Sequence, residues 1–403
     1  MTDRHPAGRA ARSADAMALA AALEASRHDT LATFAVCESA LESLTVPRRE
    51  SLNPPLWELG HIGWFQEFWI ARNPQRAAGV NADPAVPRAP GVRADGDALY
   101  DSSRVPHATR WDLPLPGADA ARADLAGQLD TTLRLLRDAG GDTASLYFFR
   151  LALLHEDMHH EAALYMAQSL GLAIDDPRWQ LLPLHRARVD LALDAGSWAL
   201  GGGVEGFAFD NELAAHALDL PATRIDNRAI CWTEYLPFVE SGGYGQPQWW
   251  SDAGSAWLAA ERRTAPRYLR RLGDGWQQER YGRWRALDPT LPACHLTAFE
   301  AEAWCRWAGR RLPTEAEWER AAVVRPDDFE WGQVWEWTAS AFEPYPGFEP
   351  HPYRDYSAPW FGTRRVLRGA SFMTQPRMRH ACYRNFFMPH RNDVPAGFRT
   401  CAP

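Results

Sequence analysis

The chain has 403 residues, 46% hydrophobic and 23% charged, with a formal net charge of −8. That composition fits a soluble globular protein with room for two ordinary domains. The acidic balance, with no long basic run, argues against nucleic acid or an anionic membrane as a partner. No apolar stretch reaches the roughly 18 residues that a membrane-spanning helix needs.

Residues 1–15 read as a disordered arm. The Ala-rich run from Ala16 passes directly into Glu24 and Arg27, as in an amphipathic first helix rather than a signal peptide. Residues 16–180 then read as a helical bundle. The first helix has Asp15 as its cap, and the second opens on Pro54-Pro55 and stops at Asn73-Pro74. Residues 75–117 are irregular and rich in Pro, Gly and Ala. A third amphipathic helix ends at Gly140-Gly141, and a fourth closes at Gly171. Bundles of this kind place metal sites between facing helices.

Beyond residue 180 the texture changes to short apolar runs between Gly, Pro and Trp. Two helices stand out there, over residues 297–309 and 314–324. Thr314 and Glu317 form a capping box at the start of the second. The remainder reads as a loop-rich α+β domain. The six cysteines are widely spaced and form no C-x-x-C pair. They predict reduced, mostly buried thiols in a cytoplasmic protein rather than a disulfide framework or a structural zinc site.

The fourth helix carries "LLHEDMHHEAALYM", which contains the H-E-x-x-H pattern of zinc proteases. Each helical residue advances by about 100°, so His155 and His159 lie about 40° apart, one turn along the same face. That spacing suits two imidazoles on one metal. His160 points elsewhere. The surroundings are apolar, so bare imidazoles there need a partner. A peptidase lacks its third ligand: Ala162 and Tyr165 stand at the Gly and His positions of the extended motif, and no Glu occurs between Glu161 and Glu205. His61, among Trp57, Trp64 and Phe65 on the second helix, is the best third ligand. Three neutral imidazoles with open positions suit iron(II), zinc or copper, and spacing does not choose among them. Glu156, the base in a protease, is expected to be outside the metal's immediate shell or to face solvent.

The segments "RRLPTEAEWERAA" (310–322), "WGQVWEWTAS" (331–340), "RVLRGASF" (365–372) and "AGFRTC" (396–401) fall in an order that resembles the formylglycine-generating-enzyme/sulfatase-modifying fold, a C-type-lectin-like domain over 185–403. The first half resembles the DinB-like four-helix bundle, with its H-x-x-x-H-x-E helix (His155, His159, Glu161) and an upstream "GH" (His61). Together the two halves resemble the ergothioneine synthase family. The resemblance implies an oxidoreductase in which His61, His155 and His159 hold Fe(II), O2 is the oxidant, and a chalcogen is joined to C2 of the hercynine imidazole. It also implies a tyrosine that donates a proton or electron, for which Tyr345, Tyr353 and Tyr356 are candidates.

The segment "YRNFFMPHRNDVPAGFRT" (383–400) bears on the second substrate. By resemblance, Asn385 and Phe386 match the hercynine-binding pair of the γ-glutamylcysteine-using enzymes. Phe387 stands where they carry an Asp, while Arg391 is kept. An unpaired substrate ammonium in a closed site is costly, so this puts γ-glutamylcysteine in doubt. Met158 replaces a Gln frequent in the family. The loop over residues 99–116 supplies Ser103 and Arg104, expected near the mouth of the bundle. A hydroxyl-rich seleno- or thiosugar fits these departures, and the selenoneine synthase branch resembles the chain best.

Three other readings compete. A formylglycine-generating enzyme lacks its cysteine pair here: Thr374 stands near the first position and only Cys382 near the second. A non-catalytic ligand-binding module does not need a histidine triad. An ovothiol-type synthase, using histidine and cysteine, usually carries a methyltransferase domain.

Overall fold

A computed structural model describes residues 5–201 and 205–403. The N-terminal half is helical. Helix α1 (Pro6–Ser13) precedes α2 (Ala16–Ala40), in which the Asp15 side chain accepts from the Ala18 N–H. Helix α3 (Pro55–Gln66) opens on prolines and widens into a π-helical turn over Glu67–Ala71. The short α4 (Gly96–Tyr100) and the longer α5 (Ala118–Arg137) follow. Helix α6 (Thr143–Leu170) is capped by Asp142 and stops where Gly171 turns left-handed at φ 70°. It is the central helix, in contact with α2, α3 and α5, and its middle, from Leu146 to Asp157, is buried on all faces. The four long helices lie where the apolar periodicity places them.

The expected disordered arm over residues 1–15 is corrected for the part described; residues 1–4 lie outside the described residues. Helix α1 lies on the Pro376–Met378 turn. Arg12 is buried and makes two 2.8 Å contacts with the Glu212 carboxylate. A local reading saw only a charged, Ala-rich stretch. The partner carboxylate is 200 positions away.

The second half is built from short strands and capped helices. Strands β1 (Asp190–Leu193) and β4 (Thr223–Asp226) pair antiparallel, as do β2 (Gly196–Leu200) and β3 (His216–Leu220). Helices α7 (Trp232–Glu240) and α8 (Asp252–Glu261) lead to a meander of β5 (Leu269–Leu272), β6 (Gly275–Arg280) and β7 (Arg283–Ala286). Helices α9 (Ala298–Trp307) and α10 (Glu315–Val324) both start with capping boxes, the second from Thr314 and Glu317. The last sheet runs in the order β10 (Asn385–Phe387), β9 (Arg365–Gly369), β8 (Trp335–Ala341), β11 (Ala396–Gly397). Among the described residues no helix is long and apolar enough to cross a membrane.

Helix α6 is joined to this last sheet and the turn after β9. Glu161 accepts from Trp335 Nε1 at 2.7 Å, Ser371 Oγ at 2.7 Å and Thr374 Oγ1 at 2.8 Å. One turn earlier, Asp157 pairs with Arg377 at 2.8 Å. Hydrogen bonds to a charged group contribute about 1.5–3 kcal/mol each, so the face of α6 that carries Asp157 and Glu161, turned away from His155 and His159, is firmly tied to the second domain.

Candidate metal centre

Helix α6 carries His155 and His159 one turn apart, and α3 brings His61 to the same point. One ring nitrogen from each lies within 4.8 Å of the others. Hydrogen bonds settle two of the tautomers. His61 Nδ1 lies 2.8 Å from the Tyr100 carbonyl, which can only accept, so Nδ1 carries the proton and Nε2 is the free donor atom. His159 Nδ1 lies 2.6 Å from Glu58 Oε2, with the same consequence. His155 is held differently, its ring flat on Phe65 at 3.5 Å between centroids. Burial, helped by the neighbouring His159, pulls the His61 pKa down to about 3 and moves that of His155 well below its ordinary value. Both rings are therefore neutral near pH 7, the form that binds metal. The residues present fit a three-imidazole metal site.

Gly60 explains why the residue before His61 is glycine. A Cβ there would lie 2.2 Å from the Tyr100 ring. Its absence lets Tyr100 close over α3 and offer its carbonyl to His61.

The remaining residues of the H-E-x-x-H run take no part in the triad. The Glu156 carboxylate is buried and paired with Arg27 at 2.8 Å, which corrects the expectation that it might face solvent. His160 points away, to Thr33 Oγ1 at 3.0 Å.

His159 also borders a cavity of about 240 Å³ between the two domains. Its bundle wall includes Met158, Glu161 and Tyr165, and its opposite wall includes Trp335, Tyr356, Tyr383, Asn385, Phe386 and Phe387. The three hydrogen bonds to Glu161 all fall on Oε1, so Oε2 remains available to a ligand. Asn385 Oδ1 takes the Phe386 N–H, leaving its amide NH2 as a donor.

The tyrosine candidates separate. Tyr353 sets its ring 6.2 Å from that of His155 and 4.9 Å from that of Phe65. Tyr356 is 3.1 Å, oxygen to oxygen, from Tyr383, whose hydroxyl donates to Met158 Sδ at 3.4 Å. Tyr345 is elsewhere: its hydroxyl donates to Glu315 and its ring lies under the Arg384 guanidinium at 4.0 Å. Arg391 is bidentate with Asp393 at 2.6 Å and lies 5.2 Å from the Phe387 ring centre.

Ser103 and Arg104 are exposed and border none of this cavity. Asp101 captures both locally, Ser103 Oγ at 2.6 Å and Arg104 Nε at 3.3 Å. Arg110 in the same loop turns inward, 3.7 Å above the Trp57 ring.

Sequence reasoning missed Glu58, Tyr165, Trp335 and Tyr383. Only Glu58 left a signal: it stands three residues before His61, on the same helical face.

A helical bundle with three converging histidines, joined to a lectin-like domain, defines a class of two-domain metal-dependent oxidoreductases. Residues 22–163 match the DinB superfamily, and residues 184–333 and 328–402 match the sulfatase-modifying factor enzyme 1-like domain. The hercynine oxygenase of Mycolicibacterium thermoresistibile is 33% identical, over 86% of this chain and 87% of that enzyme. That of Mycobacterium tuberculosis is 32% identical, over 86% and 90%. The formylglycine-generating enzyme of Streptomyces coelicolor is 26% identical over 46% of this chain and 79% of its own. The chain belongs to the hercynine oxygenase family, within the ergothioneine-synthase-like enzymes.

Proposed function

We propose that this chain is an O2-dependent nonheme Fe(II) enzyme that joins a chalcogen to C2 of the hercynine imidazole, with a selenosugar as donor. The observation that carries the reading is the convergence of His61, His155 and His159 at one point that opens, through His159, onto a cavity walled by aromatic rings. Iron(II) held by those three nitrogens would supply open coordination positions and a redox centre through which O2 takes its electrons from the imidazole C–H and the chalcogen being joined.

A trimethylammonium group has no N–H to donate and is best held by aromatic faces beside a carboxylate. Trp335, Tyr383 and Phe386 supply the faces, and Glu161 Oε2 the carboxyl oxygen; burial raises the Glu161 pKa, and a bound cation would draw it back toward the ionised form. The Asn385 amide NH2 is placed to receive a substrate carboxylate. Tyr353, kept protonated by burial, is the proton donor this reading favours, since its ring lies beside His155.

For the donor, the support is the spent charge at Arg391. Its charge is already balanced by Asp393, and Phe387 offers no partner for the ammonium of a zwitterionic thiol. A neutral, hydroxyl-rich donor has no such unpaired ions to bury. A second reading, γ-glutamylcysteine as donor, is favoured by the retention of Arg391 itself.

The test is anaerobic Fe(II) loading, then O2, hercynine and either a 1-seleno-sugar or γ-glutamylcysteine, with products weighed by mass spectrometry. A carbon–selenium product in at least tenfold preference is expected. Preference for γ-glutamylcysteine overturns the donor, and no hercynine-derived product from either overturns the reaction.

A further inference from the structure

The three imidazoles are not held alike. His61 donates to a backbone carbonyl at 2.8 Å, and His155 rests against a phenyl ring. His159 alone donates to a carboxylate, Glu58 Oε2 at 2.6 Å. Glu58 is itself held. Its Oε1 accepts from Asn53 Nδ2 at 2.6 Å, and Asn53 Oδ1 accepts from Arg110 Nη1 at 2.9 Å. The Arg110 guanidinium lies flat on Trp57, the residue before Glu58. A line of contacts therefore runs from the loop after α4, through Arg110, Asn53 and Glu58, to one ligand. That ligand is the one bordering the substrate cavity.

A hydrogen bond from an imidazole N–H to an ionised acceptor is about twice as strong as one to a neutral acceptor. It pulls the Nδ1 proton outward and raises the electron density at Nε2. It also locks ring orientation, so the ligand loses less freedom on binding metal.

We propose that Glu58, held by Asn53 and Arg110, is a positioning residue that makes His159 the strongest electron donor of the three ligands. The loop over residues 101–112 thereby reaches the metal through bonds rather than by touching substrate. The inference rests on the histidines being a metal site and is independent of which chalcogen donor is used.

The experiment uses cobalt(II) as the probe, titrated anaerobically into the full chain, with affinity taken from competition with a chelator and the visible ligand-field bands recorded. Wild type should bind one Co(II), and His159→Ala should lose most of that affinity. Glu58→Gln keeps the shape and a hydrogen-bond acceptor but removes the charge. It should weaken Co(II) binding by about 10–100-fold and shift the ligand-field bands. Asn53→Ala leaves Glu58 in place but untethered. It should lower affinity by roughly two- to tenfold, less than removal of the charge, because Asn53 acts on His159 only through Glu58. Circular dichroism and the thermal midpoint without metal show whether each variant is folded. A folded Glu58→Gln with wild-type affinity and bands overturns the role of Glu58. Wild-type behaviour of Asn53→Ala overturns the tether. Wild-type protein that binds no Co(II) overturns the metal site itself, and the positioning role with it.

Discussion

Tyr353 and Tyr345 sit eight positions apart in one aromatic segment, yet their surroundings assign them different work. Tyr353 lies against Phe65 and His155, whereas Tyr345 holds the Glu315–Arg384 pair. Removing a positioned proton donor costs about 10²–10⁴-fold in rate. Tyr353→Phe is therefore expected to lower turnover by at least about 100-fold with an unchanged thermal midpoint. Tyr345→Phe should lower the midpoint and leave turnover within about threefold, since it loses one buried hydrogen bond far from the triad. Steady-state turnover with hercynine and the preferred donor, beside a thermal melt, checks both; equal rates for the two variants would remove Tyr353 from the chemistry. The His155/His159 pair was legible in the sequence because helical spacing alone puts them on one face. Glu58 and Tyr383 were not, because what they touch lies 101 and 225 positions away along the chain.

At the scale of elements, the second helix shows how a small residue can serve a metal ligand. Gly60 admits the Tyr100 ring, and Tyr100 in turn orients His61. Gly60→Ala would favour the helix by its intrinsic propensity but drive a methyl into that ring. Overpacking of this kind costs about 1–3 kcal/mol. The variant is expected to melt lower than wild type and to bind metal more weakly. A thermal midpoint at or above that of wild type, read with and without Co(II), would mean that Tyr100 moves aside freely. Long elements were legible here because α2 and α6 open on capping aspartates, α3 opens on prolines, and α5 follows Gly117 with an apolar period. The two outer strands of the last sheet were not: β10 has three residues and β11 two, too few for any alternation to register.

At the scale of the whole molecule, α1 works as a latch. Arg12 is 2% exposed and bonded to Glu212, so removing it strands a buried carboxylate. Breaking a buried pair from one side typically costs about 3–5 kcal/mol. Arg12→Ala should lower the unfolding free energy, read from chemical denaturation, by an amount of that order. Arg104→Ala, at a side chain 79% exposed, should stay within about 0.5 kcal/mol of wild type. A neutral Arg12→Ala would mean that α1 is not docked in solution. The two-domain plan was readable from the change in texture near residue 180, but the seam between the domains was not, since it is made of single side chains such as Glu161, Asp157 and Arg12.

That seam divides inheritance as well as space. All three histidines that could hold a metal come from the bundle, while Trp335, Tyr383, Asn385, Phe386 and Phe387 come from the other domain. On the proposed reading, substitutions at Asn385, Phe386 and Phe387 would change which molecule is recognised without touching His61, His155 or His159, while Met158, Glu161 and Tyr165, on the bundle side of the same cavity, would not have that freedom.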